Sequence, residues 1–331
     1  MTLSAAVIDA HISTWQTRLE NSGYPYRSKW PARLFHHAPL ENVAAILNSG
    51  QLLSRDDSAN SRPIDVADPS IIANRTDAHA FGRLYFRPRT PTQFHIEGIR
   101  KPEEYYRGNK HCPTIGVLVF DAKTIFQLAD VQFTTANMQS YDTQRGSTAD
   151  FFQAIDFASV YHEGPFTQGE RSNIVARRCA EVLVPSPLSL TDGGLRWIYC
   201  RSQAERVYLL DMLQEQAQAW ASRVRVSDDI RVFEKRYTYV QSVDLSDEGI
   251  TFSIAPRMSG GDVRISLGVR NAQTNEQVVS LAPQMLRPIP PHENKNWIVK
   301  HPIPEGQYRV EIWLEDCKAF SAKMLHESVP F

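Results

Sequence analysis

The chain has few of the features that assign a protein to a class directly. Its four cysteines, Cys112, Cys179, Cys200 and Cys317, lack C-x-x-C spacing, which argues against a zinc ribbon and against a disulfide framework. We therefore expect buried free thiols in a reducing cytoplasm. No run of about 18 apolar residues occurs, so no membrane span is predicted. The first ten residues lack the basic region of a signal peptide.

The chain also has almost no net charge and none of the common nucleotide-binding motifs. A formal net charge of −1 gives no global attraction to nucleic acid, so any such binding needs a local patch. Residues 75–110 carry eight basic against four acidic side chains, which fits such a patch and fits an ordinary solvated face equally well. There is no G-x-G-x-x-G, Walker, G-x-S-x-G or H-E-x-x-H motif. A dinucleotide could bind, but not through a Rossmann turn, and we expect no metal.

The first two thirds of the chain mix helical and strand patterns. Helices are predicted over 3–22, 42–47, 150–161 and 203–221, and strands over 34–36, 84–86 and 115–120. Gly50 is a stop signal for the second helix, and Pro88 ends the second strand. Residues 54–70 and 162–172 read as loops. Long loops in compact domains tend to be functional lids or disordered.

After about residue 230 the pattern changes to short alternating stretches separated by turn signals. About 95 residues of this kind predict a β-sandwich. The predicted fold class is therefore α+β. The predicted domains are an N-terminal helical extension at 1–29, a mixed domain at 30–228 and a β-rich C-terminal domain at 229–331.

Glu181 stands at the front of an apolar strand, in the segment Arg-Arg-Cys-Ala-Glu-Val-Leu-Val-Pro at 177–185. A carboxylate there can be aimed into a cleft as a catalytic acid or base, although most such residues are solvated or salt-bridged. His36 and His37 would face opposite sides of a strand, so they are not a metal pair. Arg87 and Arg89 are surface charges beside a proline or a grip for phosphate, which suits the guanidinium fork.

Five segments occur in a particular order. They are Phe35-His36-His37-Ala38 with Asn42 and Gly50 behind it, Ile71 to Arg75, Tyr85 to Pro91, Phe133-Thr134, and Ala180-Glu181-Val182-Leu183-Val184. As a set, over residues 30–225, they resemble the DarT family, the toxins of DarTG toxin–antitoxin systems, which ADP-ribosylate bases of single-stranded DNA using NAD. Ala38 stands where the family has Thr, and residues 92–94 replace the family's Met-Leu-Tyr.

The resemblance implies an ADP-ribosyltransferase-like catalytic domain with NAD as co-substrate. It assigns catalysis to Glu181 and Arg75, and cofactor binding to His36, Ala38, Asn42 and Arg75. Glu181 would bind a ribose hydroxyl, stabilise positive charge and take the proton of the attacking base. Arg75 would contact phosphate or the incoming base.

The resemblance also implies partners. Single-stranded DNA is the expected acceptor, with contacts from Arg89, Phe166 and Arg171, where the alternatives are a structural role for Arg89 and an ordinary polar loop at 162–180. A toxin or anti-phage role and a separate macrodomain antitoxin are expected.

Two other functions stay open at this point. One is ADP-ribosyl transfer to RNA or protein, which the near-neutral net charge favours slightly. The other is a non-catalytic module that binds NAD or nucleic acid, against which the joint presence of His36, Arg75 and Glu181 argues. The C-terminal region could recognise a partner or buttress the catalytic domain.

Overall fold

Helices and strands alternate up to residue 225, and strands follow. The computed structural model describes residues 2–66, 79–105, 111–138, 142–290, 293 and 295–327. In these ranges the α-helices are α1 Ala5–Glu20, α2 Leu40–Ser49, α3 Pro91–Ile96, α4 Ala122–Phe126, α5 Ala149–Gln153, α6 Phe157–Val160, α7 Arg171–Arg177, α8 Gln203–Leu213 and α9 Ala217–Ala221. The strands are β1 Arg33–Pro39, β2 Gln51–Leu52, β3 Phe81–Tyr85, β4 Ile115–Asp121, β5 Gln132–Thr134, β6 Arg145–Gly146, β7 Glu181–Pro185, β8 Leu188–Ser189, β9 Leu195–Cys200, β10 Val224–Arg225, β11 Val240–Ser246, β12 Gly249–Ile254, β13 Val263–Asn271, β14 Gln277–Leu286, β15 Trp297–Lys300, β16 Gly306–Leu314 and β17 Cys317–His326.

The scaffold is an eight-stranded sheet in the order β10-β9-β4-β1-β3-β7-β5-β6. Its strands pair antiparallel except β10 with β9, which are parallel. The predicted central strand is confirmed as β4, in which the first six residues are buried. At Gly116 the helix α2 approaches so closely that a Cβ would lie 3.1 Å from Val43 Cγ2. The apolar run at 115–120 is thus explained by a strand inside the sheet with a helix against it.

The N-terminal helix α1 packs into an aromatic cluster of the main core. The ring of His11 lies 4.9 Å from that of Phe152 and 4.3 Å from that of Phe157. Burial lowers the pKa of His11 to about 3, so its imidazole is neutral. Lys123 of α4 adds an exposed ion pair to Asp9 at 2.8 Å. Helix α1 therefore shares one hydrophobic core with the sheet.

Two of the predicted helices are interrupted. The stretch 150–161 forms α5 and α6, because the Asp156 carboxylate accepts a hydrogen bond from Ser159 N at 3.2 Å and starts a new helix. The stretch 203–221 ends its first helix at Leu213, and Gln214 takes a left-handed φ of 50° before α9. A sequence period of 3.6 does not register such breaks, since apolar residues continue on both sides of them.

The C-terminal region consists of two antiparallel sheets, β11-β12-β15 and β14-β13-β16-β17. Buried residues alternate along β13 from Val263 to Val269, as expected where one face of a sheet covers a core. The predicted α+β class with a sandwich-like C-terminal part is confirmed. Asp211 at the end of α8 fixes this part, because its carboxylate contacts Arg309 Nη1 at 2.6 Å and Lys323 N at 3.0 Å.

The linker, residues 226–239, joins β10 to β11 and is packed rather than loose. Trp30 Nε1 donates to Ile230 O at 2.9 Å, and the side chains of Ile230 and Val232 are fully buried. The domain division at 228/229 stays a prediction. The packing of the linker indicates that residues just after this point complete the core of the preceding region.

Candidate active site

Glu181 is the first residue of β7 and is 2 % exposed. It pairs in register with Tyr85 of β3, and Arg83 Nη1 lies 3.9 Å from its Oε1. Thr134 of β5 accepts a hydrogen bond from Glu181 N at 2.8 Å and donates one to Ala136 O at 2.8 Å. The carboxylate therefore stands on a backbone position fixed from both neighbouring strands.

The sheet divides beside this position, between β1 and β3. Between these two described strands the register consists of one pair, Phe35↔Tyr85. On its other side, β1 pairs with β4 at seven positions. Past that pair, His36 Nδ1 donates to Arg83 O at 2.9 Å, so the imidazole replaces a backbone donor. Because a carbonyl only accepts, the proton is on Nδ1 and Nε2 carries a lone pair. Burial lowers the pKa of His36, which keeps the ring neutral.

His37 points away from His36, as the strand alternation predicts. Its ring stacks on that of Tyr85 with centroids 5.2 Å apart and an interplanar angle of 17°. Burial lowers the pKa of His37 to about 3, and burial together with the charge of Glu181 raises the pKa of Tyr85. Both rings are therefore neutral, and they form a stacked aromatic pair beside Glu181, the register partner of Tyr85.

Asn42 and Ala38 flank the start of α2. Both ends of the Asn42 amide are used by the backbone of one loop residue: Nδ2 donates to Ile64 O at 2.7 Å, and Oδ1 accepts from Ile64 N at 3.0 Å. Asn42 thereby holds the loop at 54–66, which precedes Arg75 in the sequence. Arg75 itself lies outside the described residues. Ala38 is a buried methyl group on β1, opposite Gly116.

Arg87 and Arg89 converge on one carboxylate. Glu163 Oε2 lies 2.8 Å from Arg87 Nη2 and 3.0 Å from Arg89 Nη2, and both guanidinium groups lie over the Trp30 ring. Arg89 also donates to Tyr26 OH at 2.8 Å. Burial alone would raise the pKa of Glu163, but the charges of Arg87, Arg89 and Arg178 outweigh it and lower that pKa. Arg89 Nη2 thus has two internal partners, Tyr26 and Glu163.

The segment 162–180, predicted to be a loop, contains a helix. Residues 162–170 are irregular and α7 follows, with Arg171 exposed at its first position. The ring of Phe166 is half-buried and lies under the Arg178 guanidinium, whose Cζ is 5.3 Å from the ring centroid. Phe166 and Arg171 therefore lie on the same segment immediately before Glu181, but only Arg171 is freely exposed to solvent.

Sequence reasoning missed Glu163, His162 and Arg178 as members of this site. His162 and Glu163 lie in a stretch with turn-like composition, and Arg178 sits in a basic pair just before Glu181. The basic pair Arg177-Arg178 was the one sequence feature that could have indicated these residues. Within the described residues, no group of three or more His, Cys, Asp or Glu side chains could hold a metal ion. Among the described helices, none has the length and apolar character needed to cross a membrane.

Comparison with known proteins gives one family. The family model described as "ssDNA thymidine ADP-ribosyltransferase, DarT" matches residues 35–232. Solved structures that resemble the chain include Thermus sp. 2.9 DarT with ADP-ribosylated ssDNA, at 19 % identity and a TM-score of 0.49, with 60 % of this chain and 96 % of that chain covered. The same protein with NAD+ is 18 % identical, with a TM-score of 0.47, and the match covers 60 % of this chain and 97 % of that chain. Thermosipho africanus DarTG with ADP-ribose is 18 % identical, with a TM-score of 0.46, and the match covers 66 % of this chain and 54 % of that chain. A search of curated proteins found no match.

Proposed function

The chain belongs to the DarT family of ADP-ribosyltransferases, and on this premise we propose that it transfers ADP-ribose from NAD to a base of single-stranded DNA. The observation that carries the proposal is the position of Glu181. Its carboxylate is buried at the mouth of β7, beside the division of the sheet that holds a neutral His36. This arrangement places a carboxylate on the strand next to β3, which among the described residues shares a single register pair with β1.

The proposed reaction needs a carboxylate there. The bond between ribose C1′ and the nicotinamide nitrogen breaks, and nicotinamide leaves with the electron pair as a neutral molecule. The ribose gains oxocarbenium character, as in glycoside cleavage. Glu181 would hold a ribose hydroxyl and stabilise this positive charge. A base nitrogen then bonds to C1′, and its proton passes to the Glu181 carboxylate.

Substrate binding would fall to the residues around the division of the sheet. The Nε2 lone pair of His36 is available to accept a hydrogen bond from a ribose hydroxyl or the nicotinamide amide of NAD. We propose that Ala38 contributes a methyl surface to this pocket, and that Asn42 acts by holding the loop at Ile64. Arg75 is proposed to bind phosphate or the incoming base.

The acceptor strand would lie along the segment before Glu181. We propose that Arg171 contacts a DNA phosphate, because it is exposed at the start of α7. Phe166 offers a ring face for base stacking, which is sequence-tolerant and suits single strands. Arg89 is bound to Glu163 and Tyr26, so we propose that it shapes the site through them.

Thr134 is proposed as a positioning residue for Glu181. We expect Thr134→Val to lower the transfer rate by about tenfold to a hundredfold, because the Glu181 amide loses its acceptor and small displacements of reacting groups are costly. Thr134→Ser keeps the hydroxyl and should retain most of the rate. Steady-state kinetics of both variants, with circular dichroism to check folding, tests this. If both variants lose the transfer rate equally, the effect comes from side-chain packing and not from the hydrogen bond to Glu181 N.

The acceptor can be identified directly. The protein is incubated with radiolabelled NAD and, separately, with single-stranded DNA, RNA and a protein pool, and modified nucleosides are then identified by mass spectrometry. We expect label on DNA, on one type of base. Label confined to RNA or protein would overturn the proposed acceptor while keeping the transferase. No NAD turnover with any acceptor would leave only a binding module.

A role as a toxin or anti-phage effector follows from the same proposal, since a bulky adduct on a base blocks its use as a template. We expect expression of the chain to arrest growth of a host cell, and co-expression of a separate macrodomain protein to relieve the arrest. Growth curves of cells that express the chain or its Glu181→Gln variant measure this. Normal growth with the active protein would contradict the proposed role.

A further inference from the structure

His162 is held at two places, its backbone and its ring. Its carbonyl oxygen accepts a hydrogen bond from Arg87, and its Nδ1 lies 2.7 Å from Arg178 Nη2. The half-buried ring is 6.1 Å from the Phe166 ring, measured between centroids. Each fixing arginine is itself anchored, Arg87 by Glu163 and Arg178 by stacking over Phe166. The imidazole therefore has a defined position and orientation.

The contact with Arg178 also fixes the protonation of that ring. A guanidinium group only donates hydrogen bonds, so His162 Nδ1 must accept and the proton of the neutral ring must be on Nε2. Burial and the neighbouring positive charges of Arg178, Arg87 and Arg27 lower the pKa of His162, and Glu163 opposes this only in part. The ring thus presents an N–H donor at Nε2 without a charge.

This donor is linked to the neighbourhood of the proposed catalytic carboxylate through the two arginines that hold His162. Arg178 precedes Glu181 by three residues, and Arg87 follows Tyr85, the register partner of Glu181, by two. Arg87 and Arg178 therefore tie His162 to the segment that follows β3 and to the segment that precedes β7. Phe166 beside it supplies a ring on which a base can stack.

We propose that the Nε2–H of His162 reads the acceptor base, by donating to a keto oxygen where thymine has O4 and guanine has O6. Cytosine and adenine carry an amino group at these positions, which would set donor against donor. A fixed, neutral N–H donor rejects cytosine and adenine because neither the imidazole N–H nor the amino group of the base can act as an acceptor. The inference rests on the proposed function and adds a residue that selects the class of base.

The test uses short single-stranded oligonucleotides that differ only in one central base within an adenine run. Wild-type protein, His162→Ala, His162→Gln and the exposed same-segment control Gln168→Ala are each given NAD and every oligonucleotide. Two rates are measured in each sample, modification of the central base and hydrolysis of NAD to free ADP-ribose. We expect His162→Ala to lower the ratio of modification to hydrolysis on the favoured keto base by about tenfold. His162→Gln, whose amide places an N–H near Nε2, should recover most of that ratio.

The outcomes separate this inference from the proposed function. If the wild-type protein turns over NAD and modifies no DNA base, the proposed acceptor fails and the inference fails with it. If the wild-type protein modifies DNA, and His162→Ala leaves the ratio unchanged or His162→Gln is as impaired as His162→Ala, only the base-reading role is overturned. A wild-type preference for cytosine or adenine would also overturn it.

Discussion

Replacement of Glu181 by Gln is expected to reduce ADP-ribosyl transfer by about a thousandfold or more, while the protein stays folded. The amide has the shape of the carboxylate, so β7 and its pairing with Tyr85 should persist. It lacks the negative charge that would stabilise the oxocarbenium-like ribose, and it cannot take the proton from the attacking base. Each of these losses alone is typically worth about a hundredfold or more.

The same variant should change stability little. The Arg83 side chain that faces Glu181 is 29 % exposed and lies 3.9 Å away, so water can solvate it once the charge is gone. Transfer is measured with radiolabelled NAD and single-stranded DNA, and folding by urea denaturation. Glu170→Gln, an exposed carboxylate in the preceding segment, is the matched control and should keep the full rate. A Glu181→Gln variant within a few-fold of the wild-type rate would remove Glu181 from the mechanism.

Local pattern was sufficient for some of the strands that build the site. The apolar run at 115–120 predicted β4, and the alternation at 34–37 predicted that His36 and His37 face apart. Both follow from side chains that repeat along one strand. The resemblance over residues 30–225 agrees with the family match at 35–232. The identity of Glu181 as the first residue of a buried strand was also visible in the sequence.

Contacts between distant segments were not predictable. Glu163 joins Arg87 and Arg89 from more than 70 residues away, and no local pattern marks a charged side chain that will be buried by such partners. The helix inside 162–180 was missed because its turn-like neighbours dominate the composition. The composition change near residue 230 predicted a boundary, although the linker there is buried against α3 and Trp30.

A clamp formed by Gln93 and Glu97 ties this linker to the site. Glu97 Oε2 accepts from Gln93 Nε2 at 2.8 Å and from Glu234 N at 3.1 Å, and its Oε1 accepts from Lys235 N at 2.9 Å. Gln93 Oε1 accepts from Arg89 N at 2.9 Å, at a residue with a left-handed φ of 51°. The clamp therefore supports the linker on one side and the turn after Tyr85 on the other.

Replacement of Glu97 by Ala is expected to destabilise the protein by about 3–5 kcal/mol. The carboxylate is 2 % exposed, and its removal leaves two backbone N–H groups and one amide N–H without their acceptor, at a cost of about 1–3 kcal/mol each, with incomplete additivity. Transfer activity should fall too, because the Arg89 turn loses the support of Gln93. Urea denaturation monitored by tryptophan fluorescence measures the first effect, and the DNA modification assay measures the second.

Glu103→Ala is the matched control, because Glu103 is exposed and lies six residues along the chain. Its free energy of unfolding should stay within about 0.5 kcal/mol of the wild type. Glu97→Gln should fall between the two, since an amide keeps one acceptor oxygen for the linker and loses the other. If Glu97→Ala unfolds at the same urea concentration as Glu103→Ala, the linker is held by its apolar side chains alone. In that case a chain that ends at residue 228 would be unstable because it lacks the buried side chains of Ile230 and Val232. The clamp would then have no part in supporting the site.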